Sequence, residues 1–86
     1  MSYVNYRLHL YIVSELIHNE YYKDIVLRIG ELLIYLDIFN VMKYNLTINE
    51  LFVKKSVEEE LSMCIKKLTP ITTDVECIYQ LARELL

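Results

Sequence analysis

The stretch from Ile25 to Met42 is apolar on almost every side of a helix, and that property constrains the fold more than any other. A helix with no clearly wet face has to be covered, by its own chain or by another. The chain has 86 residues, of which 55% are hydrophobic. A domain this small buries only about 60% of the surface its unfolded chain exposes, so it cannot wrap such a helix completely. The expectation is a central helix with surplus apolar surface, and hence self-association or a permanent complex. A membrane span is the competing reading of the same stretch. Arg28, Glu31 and Asp37 oppose it, because each would cost about 2.5 to 3.5 kcal/mol near a bilayer centre.

The rest of the chain reads as helices placed around that one. At ~100° per residue, Tyr6, Leu8, Leu10, Ile12, Val13, Leu16 and Ile17 fill one arc of a first helix, from about Tyr3 to His18. Arg7, Ser14, Glu15 and His18 fall on the other side. Asn19 and Glu20 interrupt the pattern, and a second helix runs from about Tyr21 to Lys43. Its one good polar line is Asp24, Arg28 and Glu31, spaced for pairing along the helix. Ile25, Ile29, Leu32, Leu36 and Phe39 form one apolar seam, and Leu27, Ile34, Ile38 and Val41 form another. Two seams require two packing neighbours.

Three capping boxes follow, in which a Thr or Ser oxygen accepts from an orphan helix N–H and a Glu three residues later reaches back. Thr47 with Glu50 predicts a short helical turn to about Val53. Ser56 with Glu59 opens a fourth element, with Val57, Leu61, Cys64, Ile65 and Leu68 on one face and Lys66 and Lys67 at its C-terminal end, where cations suit the helix dipole. Thr73 with Glu76 opens the last helix, whose buried side is expected at Val75, Ile78, Leu81, Ala82 and Leu85. The short break around Pro70 predicts an antiparallel hairpin of the last two helices. No strand pattern of useful length appears, so the expected fold is an all-α compact bundle, with four main helices plus a short helical turn in a single domain over residues 1–86.

Composition removes several functions. A net charge of −3 lacks the basic footprint of a nucleic-acid binder, and its four paired lysines, Lys54, Lys55, Lys66 and Lys67, read as solvated helix positions. Cys64 and Cys77 have no zinc-site spacing and are too few for a secreted disulfide framework, and no signal peptide is visible, so intracellular, cytoplasmic residence is expected. An antiparallel hairpin would bring the two cysteines level, which makes a Cys64–Cys77 disulfide geometrically feasible. Abundant Ile, Tyr, Asn and Lys against a single Ala, Ala82, fits AT-biased coding, shared by viruses, low-GC bacteria and some archaea.

Few constellations offer chemistry. His9 lies in the apolar arc of the first helix with Asn5 nearby, and with no Cys, Asp or second His spaced to join it, it reads as a core histidine. His18 is on the wet side. No catalytic set, cofactor site or metal site can be assembled from these spacings, so the chain reads as non-enzymatic. Eight tyrosines without a Trp suit partly buried interfaces, and Tyr11 projects from the polar arc of the first helix.

The segment LTINELFVKKSVEEELSMCIKKL, Leu46 to Leu68, resembles the helix-turn-helix of winged-helix transcription regulators in its two successive helices, its capped second helix and its terminal Lys-Lys-Leu. That resemblance implies a second helix entering the major groove, with Lys54, Lys55, Lys66 and Lys67 on phosphates. The chain departs from the family in having no Gly in the turn, Phe52 where a small residue allows close crossing, Glu58 to Glu60 at the reading positions, and no wing. The preferred reading is therefore a small helical protein-interaction module, self-associating as a homodimer through Ile34, Tyr35, Ile38, Val41 and Tyr11. A DNA-binding regulator built on residues 46–68 is the alternative.

Overall fold

The computed structural model describes the backbone of residues 3–42 and 45–86 and side chains from His9 onward. The expectations for the side chains of Tyr3, Asn5, Tyr6, Arg7 and Leu8, and for Lys43 and Tyr44, lie outside the described residues. Among the described residues there are four helices and no strands: α1 (Tyr3–His18), α2 (Glu20–Val41), α3 (Ile48–Lys67) and α4 (Val75–Leu85). The fold is the expected all-α bundle. Helix α2 is its hub, and α1, α3 and α4 each pack against it.

Local chemistry explains most of the boundaries. Asn19, which separates α1 from α2, caps α2 by accepting from the Tyr22 N–H at 3.3 Å. Thr47 and Glu50 close the expected capping box, with the Glu50 N–H donating to Thr47 Oγ1 at 3.1 Å and the Thr47 N–H to Glu50 Oε1 at 3.4 Å. Two caps are corrected. The last helix is capped by Asp74, not Thr73: its Oδ1 accepts from the Cys77 N–H at 3.1 Å, while Thr72 Oγ1 accepts from the Asp74 N–H at 2.9 Å. The Ser56–Glu59 box goes unused, because α3 runs unbroken through it. Residues 53–56 contain neither Gly nor Pro, and Lys54 pairs with Glu58 at 4.0 Å across the expected break. The short turn thus merges into α3, and the helix-turn-helix proposed for residues 46–68 has no turn.

The core lies at one end of the bundle. Ile12 and Leu16 of α1, Val26, Ile29, Leu32 and Leu33 of α2, Leu61 and Cys64 of α3, Leu68, and Cys77, Ile78, Leu81 and Ala82 of α4 are buried together. Leu10, placed by sequence on the buried arc of α1, is instead about half exposed, and Val75 sits at the rim. The only Gly and the only Ala of the chain meet where α2 crosses α4. A Cβ on Gly30 would stand 2.8 Å from the Ala82 carbonyl oxygen and 2.6 Å from Leu86 Cδ1. The expected hairpin of the last two helices is not the organising contact, since α3 and α4 both use α2 as their main neighbour. Both cysteines are free and buried, so the disulfide between Cys64 and Cys77 is absent. Cys64 lies beside α2, near Arg28, and Cys77 turns towards His9 of α1.

The other end is drawn out. Among the described residues, none from Ile34 to Glu60 is buried. The outer half of α2 and the first half of α3 form a two-helix arm, and the molecule measures 45 × 27 × 20 Å. Its radius of gyration is 14.5 Å, against about 12 Å for a compact domain of this length.

Candidate protein-interaction face

The root of the arm is held by charge. Arg28 of α2 donates from Nε to Glu60 Oε2 of α3 at 2.6 Å and from Nη2 to Glu60 Oε1 at 3.0 Å, and from Nη1 to Glu31 at 2.8 Å. The hydrogen bonds from Arg28 hold the Glu60 carboxyl below its usual 4.5, and those carboxylates in turn keep the guanidinium more firmly protonated. On another side of α2, Asp37 accepts from Arg83 of α4 at 2.8 and 3.3 Å, which lowers its pKa likewise. These pairs are open to water, so they fix the orientation of the helices more than they stabilise them.

Beyond that root the same side of the arm turns apolar. Residues seven apart lie on nearly one line of a helix. Tyr35 and Met42 therefore continue the line of Arg28, and Val53 continues that of Glu60 towards the tip. All three are exposed, together with Ile34, Ile38 and Val41, the last at 87%. The structure thus places Ile34, Tyr35, Ile38 and Val41 on one open stretch of α2. The other α2 seam, Ile25, Ile29, Leu32, Leu36 and Phe39, is buried or half-buried. Tyr11 is also exposed, at 59%, but stands on α1 and apart from this stretch in sequence.

Sequence reasoning missed further apolar residues at the tip. Ile48, Leu51, Phe52 and Val53 of α3 are all more than half exposed. Their signal was present in the Thr47–Glu50 box, since a helix starting there and continuing past Ser56 turns Glu50, Lys54 and Val57 inward and Ile48 and Phe52 outward. Lys55, Lys66 and Lys67 are exposed on the same continuous helix, and Lys54 is half-buried and paired with Glu58.

Among the described residues, His9 and Cys77 form a polar pair of catalytic residue types at the edge of an open cleft of about 440 Å³ that Asp74, Tyr79 and Arg83 also line. Cys77 Sγ lies 3.2 Å from His9 Nδ1. The reading of His9 as a histidine with no cysteine partner is corrected by this contact, made across 68 residues of sequence. Burial, with Asp74 and Glu84 adding to it, pushes the Cys77 thiol up, so the sulfur stays protonated at neutral pH. That is opposite to the shift that makes a nucleophilic thiolate. Burial raises the Cys64 thiol as well. His18 bonds within its own helix, donating from Nδ1 to the Ser14 carbonyl oxygen at 2.7 Å. Among the described residues, no three His, Cys, Asp or Glu side chains are grouped to hold a metal ion. Nor is any helix long and apolar enough to cross a membrane.

No protein-family model, curated protein or solved structure matches this chain. The reading of its function therefore rests on the geometry.

Proposed function

We propose that this chain is a small non-enzymatic protein-interaction module that associates with a second copy of itself through the outer half of α2. The observation that carries the reading is the exposed run Ile34, Tyr35, Ile38 and Val41, beside Met42 and Val53. Monomeric proteins rarely leave large side chains contiguous in this way, and a patch that turns apolar beyond a polar root has the layout of an interface with a charged rim. Burying such side chains yields roughly 25 cal/mol per Å², from which the costs of association are subtracted. Free, protonated Cys64 and Cys77 support residence in a reducing compartment such as the cytoplasm.

Sedimentation or light scattering at tens of micromolar tests the reading. The chain is expected above monomer mass, and Ile38→Glu is expected to lower that mass with helical circular dichroism unchanged, because the side chain is half exposed and outside the core. An unchanged mass in Ile38→Glu and Tyr35→Glu would rule out this face.

A further inference from the structure

Helix α3 reverses its polarity along its length. In its second half the inward positions are apolar, with Leu61 and Cys64 buried and Leu68 following at its C-cap. In its first half the charged Glu50 and Lys54 are half-buried along with Val57, while Ile48 is 73% and Phe52 68% exposed. Glu50 is held in the Thr47 cap and Lys54 pairs with Glu58 of the same helix, and a helix end that leaves its large apolar side chains in water has its apolar partner elsewhere.

The outward line itself indicates what that partner is. Stepping by four and three residues, it reads Ile48, Phe52, Lys55, Glu59, Ser62 and Lys66, with Leu51 and Met63 alongside, and all are exposed. This is the spacing that keeps one stripe facing a second helix. Lys55 and Glu59 have no ion-pair partner among the described residues, in contrast to Lys54 and Glu60 on the other side of the helix.

We infer that this stripe is a second, independent self-association surface, on which α3 of one copy packs antiparallel against α3 of another about a two-fold axis level with Val57. In that register Lys55 faces the partner's Glu59, and by symmetry Glu59 faces the partner's Lys55. Leu51 and Phe52 meet the partner's Met63, a polarizable side chain suited to aromatic contact, and Ile48 lies along the methylene stem of the partner's Lys66. A parallel pairing would set Lys55 against the partner's Lys55. Only the antiparallel one is self-complementary. The inference shares with the proposed function the idea that the partner is another copy, but it rests on different residues. Two isologous surfaces per chain carry assembly past the dimer, to a closed tetramer or an open array.

Four proteins distinguish the two surfaces: the unaltered chain, Ile38→Glu, Lys55→Glu and Glu59→Lys, measured by sedimentation and checked for helicity. The unaltered chain is expected above dimer mass, and each single variant at dimer mass. Lys55→Glu should weaken its step by about tenfold or more, since like charges facing across an interface are strongly disfavoured. Mixing Lys55→Glu with Glu59→Lys is expected to restore the larger species, because each then faces its opposite. Ile38→Glu combined with Lys55→Glu is expected to be a folded monomer. If Lys55→Glu keeps the mass of the unaltered chain, or mixing restores nothing, the α3 surface is wrong while the α2 reading stands on Ile38→Glu. If only Lys55→Glu lowers the mass, the α2 reading fails instead. A monomeric unaltered chain overturns both.

Discussion

Cys77 and His9 are the two residues that most resemble chemistry, and their environment argues for a structural role. A thiol raised by burial and by neighbouring carboxylates reacts slowly, because only the thiolate is nucleophilic. Cys64 and Cys77 are therefore expected to titrate with a thiol reagent at pH 8 at the rate of unfolding, and together in denaturant; fast labelling of native Cys77 would contradict this. The ion pairs give a second prediction at this scale. Glu60 and Asp37 have folded-state pKa values below their unfolded ones, so their contribution is present above the unfolded values of 4.5 and 3.8 and is lost as pH falls through the lower folded values. Stability is expected to be flat from neutral pH to about 5 and to decline in acid. Arg28→Gln should reduce the slope of that decline in urea titrations followed by circular dichroism. None of these pairings was legible in the sequence. Arg28 and Glu60, Asp37 and Arg83, and His9 and Cys77 are separated by 32, 46 and 68 positions, and no local pattern links side chains so far apart.

At the scale of the helices, periodicity sufficed wherever one face was distinctly apolar. The seam of α2 along Ile25, Ile29, Leu32, Leu36 and Phe39 and the buried faces of α3 and α4 stand largely as read. It did not suffice where α2 is apolar all round, and so the third buried line, Val26, Gly30 and Leu33, was hidden. Gly30 illustrates two opposed effects. Alanine is favoured over glycine in a helix by about 1 kcal/mol, but here its Cβ would lie 2.8 Å from the Ala82 carbonyl, which is backbone and cannot swing away. Overpacking of this kind costs about 1 to 3 kcal/mol. Gly30→Ala is thus expected to lower stability in a denaturant titration; a gain would mean that α2 and α4 do not cross so closely. The Ser56–Glu59 box misled because a capping signature competes with helix continuation, and nothing in residues 53–56 breaks the helix. Proline is tolerated at the first position of a helix but costs about 3 kcal/mol in its interior. If α3 is continuous, Val57→Pro should be destabilising by about that amount beyond Val57→Ala, and equal stabilities would restore two helices.

For the whole molecule, the division into a packed root and an unburied arm organises everything else. Among the described residues, the root contains the buried residues of all four helices, and the arm contains most of the large apolar side chains left in water. The sequence already showed a surplus of apolar surface on α2, because two seams were visible and the chain was too short to cover both. It could not show that the first half of α3 adds to the surplus, since that depends on α3 being one helix whose direction of burial is set by Leu61, Cys64 and Leu68. In the proposed function the arm is covered by other copies of the chain. The most direct test is the solution mass at tens of micromolar, for the unaltered chain and for Ile38→Glu. A mass above monomer that falls in Ile38→Glu with helicity unchanged is the expected result. A stable monomer with its arm exposed, or an assembly indifferent to Ile38→Glu, would contradict it.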